Sequence, residues 1–160
     1  MNEPSLNLDA IAKMSGLEVV RGLSEGRITR PPMASTLPFV LHPPSEGLVE
    51  MTAHPEPRFA NLEMTAHGGW IMTMLDTAMA LAALTTLPPG EICPSHETSA
   101  KFVRPIPISA TDLKISGRVL SRTRTVITAD GEIRDTTGKL LAHGTTTCLI
   151  IRPRAIPVPE

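Results

Sequence analysis

His67-Gly68-Gly69-Trp70-Ile71-Met72-Thr73-Met74-Leu75-Asp76-Thr77-Ala78-Met79-Ala80-Leu81-Ala82-Ala83-Leu84 is the stretch on which the reading of this chain turns. The twenty-three residues from Gly68 to Gly90 carry a single charge, Asp76, set among apolar side chains. A helix that is apolar nearly all round is expected to be enclosed on most sides. An ionised carboxylate in such surroundings needs a partner or shifts its pKa, and perturbed carboxylates concentrate at sites of chemistry. The glycine pair at the helix entry leaves backbone N–H groups uncovered and lets a ligand oxygen approach them closely. One helix thus offers an oxyanion-type donor and a buried carboxylate. The run from Trp70 to Leu87 is long enough to suggest a membrane span, but a central Asp costs about 2.5–3.5 kcal/mol on insertion scales, and threonines dilute it. A buried helix of a soluble protein is the expectation.

Working outward, Leu8, Ile11, Met14 and Leu17 recur at helical spacing, predicting an accessory helix over 8–23 with Gly16 as a break. Arg30-Pro31-Pro32-Met33 reads as a linker, because proline donates no N–H and biases its predecessor to extended geometry. Segments near Leu37–Leu41 and Leu48–Ala53, joined through Pro43-Pro44-Ser45-Glu46-Gly47, read as a hairpin. The long helix opens at His67-Gly68-Gly69 and stops at Pro88-Pro89-Gly90. Beyond it the period changes to two: Leu113, Ile115, Gly117 and Val119 alternate with polar residues, as do Ile127, Ala129, Gly131 and Ile133. With Ser95–Arg104 and Leu140–Ile151 these make four strands, a turn at Asp135-Thr136-Thr137-Gly138, and an expected antiparallel meander.

Composition narrows the function. At 160 residues and 17.2 kDa the chain suits one domain with a sizeable core. A formal charge of −1, no run of like charges, one Trp and no Tyr leave neither an electrostatic footprint nor a stacking platform for nucleic acid. Cys93 and Cys148 stand far apart in sequence and away from any ligand-spaced His or Cys, so they read as isolated reduced thiols, with no metal site and no cofactor expected. Met1-Asn2-Glu3-Pro4 has no basic start leading into an apolar core, which argues against a secretory leader and for a cytoplasmic protein without membrane attachment.

A buried helix followed by four antiparallel strands and preceded by a hairpin predicts an α+β architecture, an antiparallel sheet wrapped around one long central helix with an N-terminal accessory helix. That is the hot-dog fold. Residues 1–35 are expected to form the accessory helix and linker, 36–152 the domain itself, and 153–160 a frayed Pro-rich tail.

Over roughly Thr36 to Ile151 the chain resembles the acyl-CoA thioesterases of the hot-dog superfamily, and most closely the phenylacetate-pathway, PaaI-type branch. The resemblance rests on Asn61, His67-Gly68-Gly69, Asp76-Thr77-Ala78, Phe102-Val103-Arg104-Pro105, and Gly138-Lys139-Leu140-Leu141-Ala142 with Thr145-Thr146-Thr147. It implies that Asp76 stands at the family's catalytic carboxylate, that Gly68 donates its N–H to the thioester carbonyl, and that Asn61 helps to hold water or substrate. It also implies that Ser95, counted back from Arg104-Pro105, faces the site. Where the family has a Gly-Arg pair after the strand containing Gly117-Arg118-Val119, this chain departs with Thr123-Arg124; Arg104, Arg122 and Arg124 read as solvated residues first, and as candidates to meet coenzyme A phosphates second.

Thioester hydrolysis needs a polarised carbonyl, a nucleophile and an exit for the thiolate. The Gly68 or Gly69 N–H at the positive helix end suits the first need. Asp76 suits the second, either by direct attack or by deprotonating a water held by Asn61 and Ser95. His67 orients the helix entry, while His96 and His143 read as strand residues without partners. The methionine face, Met72, Met74 and Met79, serves as core or as an adaptable acyl pocket. Gly69 and Asp76 lie about 10 Å apart along one helix, too far to engage one carbonyl carbon. The donor and the carboxylate are therefore expected from two helices, in a homodimer with shared active sites and dimers free to pair into tetramers. The expected activity is hydrolysis of an aryl- or medium-chain acyl-CoA. Its rivals are a hydratase or dehydratase of the same fold and a non-catalytic acyl-CoA-binding module.

Overall fold

The computed structural model describes residues 7–152. The N-terminal tetrapeptide and the Pro153–Pro159 tail lie outside that range. The described chain runs α1 (Leu8–Ile11), α2 (Gly16–Ser24), α3 (Pro32–Thr36), β1 (Phe39–Leu41), β2 (Leu48–Ala53), a 3₁₀ turn (Pro57–Phe59), α4 (Gly68–Leu84), β3 (Ser95–Phe102), β4 (Leu113–Arg122), β5 (Val126–Arg134) and β6 (Leu140–Leu149). The six strands form one antiparallel sheet in the order β1-β2-β4-β5-β6-β3, with α4 packed across one face. This is the hot-dog fold expected from the sequence.

The helix lies close to the sheet because of a row of three glycines. Gly117 pairs with Gly131, and Gly131 with Gly144, so three neighbouring strands present no side chain at the same level. A Cβ on Gly117 would stand 2.2 Å from the Ala78 carbonyl oxygen, and one on Gly131 2.8 Å from Met79 Cγ. The α4 backbone fills the trough that results. Met74, Leu75, Ala78, Met79 and Ala82 are fully buried against Val49, Met51, Leu113, Ile115, Ala129 and Ile133. Each of the larger side chains contributes about 1.5–3 kcal/mol through that burial.

The N-terminal region departs from the single helix and linker read from the sequence. Ser15 accepts from Glu18 N while Glu18 reaches back to the Ser15 backbone, a capping box that starts a new helix, so 8–23 divides into α1 and α2. Gly16 then docks on the end of α4, its N–H donating to Leu87 O at 2.9 Å. The Pro31-Pro32 stretch carries a short helix too, since proline is tolerated at the first helical position. That helix, α3, crosses the expected boundary at residue 35.

The connectivity is not a four-strand meander. Only β4-β5-β6 follow one another, while β3 lies at the far edge beside β6. The chain leaves β3 through ten residues containing Pro105 and Pro107, too long and too proline-rich for a hairpin. It returns to β4 past the entry of α4, where Ala66 N donates to Ile106 O at 2.8 Å. Its length brings the chain alongside the helix N-terminus.

Two further expectations change. Cys93 and Cys148 are not isolated: the fold brings both thiols, free and buried, into a small cluster with Leu87, Ile127 and Ile150. And Asp76, expected to be buried, lies with Met72, Thr73, Thr77 and Ala80 in a half-exposed stripe of α4 that its own sheet does not cover. Among the described residues, no helix is long and apolar enough to cross a membrane.

Candidate active site

The site begins at the entry to α4. His67 caps the helix: its Nδ1 accepts from Gly69 N at 2.9 Å, and Trp70 N and Ile71 N both donate to His67 O. Among the described residues, Gly68 N–H alone of the first-turn amides has no acceptor. Of the two candidate donors, Gly69 N–H is taken by His67, which leaves Gly68 N–H free among the described residues. Gly68 is held tightly as well, since a Cβ there would lie 3.1 Å from the Phe102 ring.

Asn61 sits one loop upstream, and its amide is committed locally. Its Oδ1 accepts from Glu63 N and Thr65 N, both at 3.0 Å, and its Nδ2 donates to Thr65 Oγ1 at 2.9 Å. These bonds hold Met64 in the left-handed region at φ 56°, with Leu62 and Met64 turned outward. Asn61 and His67 share one open cleft. Asn61 builds its wall, with one Nδ2 hydrogen left to donate.

Asp76 lies about 12 Å further along the same helix than Gly68. It is half-exposed in the protomer rather than buried, and its Oδ1 accepts from Thr98 Oγ1 at 2.8 Å. Thr98 Oγ1 in turn lies 2.9 Å from Thr146 Oγ1, which also reaches Glu97 O at 3.0 Å. Among the described residues Thr98 is the sole hydrogen-bond partner of Asp76, so Oδ2 stays open to a ligand.

Ser95 lies on the same face as Thr98, one step along the ladder. A bulge between Ser95 and Glu97 shifts the strand parity, so Ser95 pairs with Cys148 while Thr98 pairs with Thr146. Neighbouring Cys93 above all, with Ser95 and Thr146, holds the Cys148 thiol down to about 7, against its burial and the Asp76 charge. Cys93, the donor to Cys148, is pushed up out of the ordinary thiol range by that bond and by burial. Alternation along β3 gave the sequence a signal for Thr98, but the bulge, invisible in the residue pattern, obscured it.

The arginines separate. Arg104 donates to Leu140 O near the helix entry, and Arg122 to Thr86 O near its end. Arg124, two residues further, is exposed in the β4–β5 turn. Within one protomer Arg104 and Arg124 therefore flank opposite ends of α4. His96 and His143 are exposed strand residues, and among the described residues no three His, Cys, Asp or Glu side chains gather as a metal site would require.

With that geometry in hand, comparison with known proteins is informative. The Thioesterase superfamily model matches residues 64–142, a span that contains the helix entry, Asp76 and Thr98. A putative thioesterase of Ralstonia eutropha JMP134, described as phenylacetic acid degradation-related, is 29% identical over 81% of this chain and 98% of its own, with a TM-score of 0.74. The PaaI protein of the Escherichia coli phenylacetic acid degradation operon has the same fold at 19% identity, covering 86% of this chain and 96% of its own, with a TM-score of 0.72. A hypothetical thioesterase of Streptococcus pneumoniae TIGR4, solved with coenzyme A, shares the fold at 21% identity over 76% of this chain and 92% of its own, with a TM-score of 0.66. No curated protein matches the chain. The resemblance to PaaI-type hot-dog thioesterases read from the sequence thus holds.

Proposed function

We propose that this chain, a hot-dog protein whose residues 64–142 carry the thioesterase-superfamily pattern, hydrolyses acyl-coenzyme A thioesters with an aryl or medium-chain acyl group. The observation that carries the reading is the pairing of one unclaimed helix-entry amide, Gly68 N–H, with a carboxylate that is hydrogen-bonded on Oδ1 and open on Oδ2. The amide and the positive end of α4 suit the carbonyl oxygen, where negative charge builds in the transition state. Asp76 suits the carbonyl carbon, by direct attack to a mixed anhydride or by taking a proton from water. Coenzyme A leaves as a thiolate and needs no dedicated acid.

The separation of Gly68 and Asp76 on one helix supports a site shared between two chains. The half-exposed stripe of α4 and the exposed edge strand β3, which lie on the side of Asp76, are the surfaces a second copy would cover. In such a homodimer, Arg104 of one chain and Arg124 of the other could approach one coenzyme A. A dimer of dimers is compatible with the same sites, as is a cytoplasmic location.

A hydratase would need a histidine paired with the carboxylate. His67 Nδ1 is engaged by Gly69, and no histidine approaches Asp76 among the described residues. A binding module without catalysis fits the cleft but gives the Thr98–Asp76 bond no task. The deciding experiment is thiol release from a panel of acyl-CoAs, with Asp76→Asn as control. Release that depends on Asp76 supports hydrolysis, and tight binding without release supports the module.

A further inference from the structure

Beside the helix entry lies a cleft of about 510 Å³, bounded on one side by α3 and on the other by the first turns of α4. That volume falls within the roughly 300–1,000 Å³ of small-molecule sites. Met33 and Leu37 from the α3 side, Phe59 from the 3₁₀ turn, and His67, Gly69, Trp70 and Thr73 from the entry and first turns of α4 line it. The lining is largely apolar, so it suits a group without charge.

Leu37 and Ala34 anchor the α3 wall in the core, and Arg58 ties it to the loop below. Arg58 donates to Thr36 O at 3.0 Å, pairs with Glu56 at 2.8 Å, and lies over the Phe59 ring at 4.8 Å. Its first bond satisfies a carbonyl at the end of α3, a five-residue helix with no side-chain cap at its start. A helix so short has little stability of its own. Without Arg58, α3 would lose its tie to the loop, and Met33, 57% exposed, would be less constrained than Leu37, which is buried in the core.

We infer that α3, pinned by Arg58, is the acyl-selecting wall of the site: Met33 and Leu37 enclose the apolar acyl group of a thioester whose carbonyl lies at Gly68. The inference rests on the thioesterase reading for the chemistry of its occupant. Its geometry stands on the cleft, whose lining includes His67 and Gly69, the two residues that flank Gly68. A wall drawn from the region outside the superfamily match sets which acyl groups this chain accepts, while the matched region supplies the reaction.

Two measurements test it. The first is the ratio of kcat/KM for decanoyl-CoA to that for acetyl-CoA in the wild type, Met33→Phe and Arg58→Gln. Met33→Phe narrows the cleft and Arg58→Gln frees its wall, so each should lower the ratio at least tenfold. The second is the emission of Trp70, the one tryptophan of the chain, titrated with the non-hydrolysable thioether S-decyl-CoA and with coenzyme A alone. The expected response is saturable with S-decyl-CoA, absent with coenzyme A, and weakened about tenfold in affinity by Arg58→Gln. If wild-type protein hydrolyses no acyl-CoA, the enzymatic reading fails, yet that Trp70 response still upholds the wall. If hydrolysis proceeds with the ratio unchanged within twofold in both variants, or Trp70 responds equally to coenzyme A alone, the wall is refuted and the thioesterase reading stands. Circular dichroism confirms folding, and Met33→Phe, at an exposed position, keeps the test open should Arg58→Gln unfold.

Discussion

Thr98 and Asp76 stand 22 residues apart in sequence and 2.8 Å apart in space, the Thr98 hydroxyl donating to Asp76 Oδ1 across the gap between β3 and α4. Each threonine carries one hydroxyl hydrogen: Thr98 gives its own to Asp76, and Thr146, 2.9 Å away, has Glu97 O as well as Thr98 Oγ1 within reach of its own. The Thr98 bond restrains the carboxylate through Oδ1 and leaves Oδ2 without a partner among the described residues.

Replacing Thr98 with Val keeps the shape and deletes the donor. A hydrogen bond to a charged group contributes about 1.5–3 kcal/mol, so kcat should fall roughly tenfold or more with KM little changed. Thr98→Ser should restore most of it. A merely structural Thr98 would show the loss in thermal stability instead of kcat, and Asp76→Asn should abolish turnover altogether.

The shared-site arrangement makes a quantitative forecast. An Asp76→Asn chain mixed and refolded with a Gly68→Pro chain gives heterodimers with one intact site and one doubly defective site. Statistical mixing makes about half the dimers mixed, each with one site of two, so activity should return to roughly a quarter of wild type. Subunit exchange is verified by mass. No recovery above the parents' average would leave the site within a single chain.

Gly131→Ala addresses the fold itself. The added methyl meets Met79 Cγ at 2.8 Å and Ser116 O at 3.0 Å. Overpacking of this kind costs about 1–3 kcal/mol, and Gly117→Ala, which meets backbone at 2.2 Å, should cost more. Urea denaturation of both variants gives the order. Equal stabilities would mean that the helix does not rest on the glycine row.

The cysteine pair predicts a pH dependence. Cys148 titrates at about 7 in the folded protein, below its value in the unfolded chain. Between those two values the unfolded state binds more protons, so this group's stabilisation grows as pH rises and vanishes as pH falls through about 7. The raised pKa of Cys93 acts in the opposite sense only at higher pH. Urea midpoints under reducing conditions should show the wild-type advantage over Cys148→Ser widening from pH 6.5 to pH 8.5, both chosen as roughly bracketing neutrality. Parallel curves would contradict the hydrogen-bonded pair.

By itself the sequence determined the elements and the chemistry they carry. Gly68 opens α4, Leu113, Ile115, Ile127 and Ile133 mark the buried face of two strands, and Asp76 stands out as the lone charge of its helix, because periodicity, capping and charge isolation are local properties of the chain. What the tertiary structure decided are relations between distant residues. Sequence spacing does not show that Gly117, Gly131 and Gly144 align into one trough, since strand register is set by pairing. Nor does it show that a bulge sends Ser95 to Cys148 and leaves Thr98 to hold Asp76, or that Cys93 meets Cys148. The stripe containing Asp76 stays half-open for the same kind of reason: whether an apolar helix is enclosed depends on how far its own sheet reaches around it, and this sheet ends at β3.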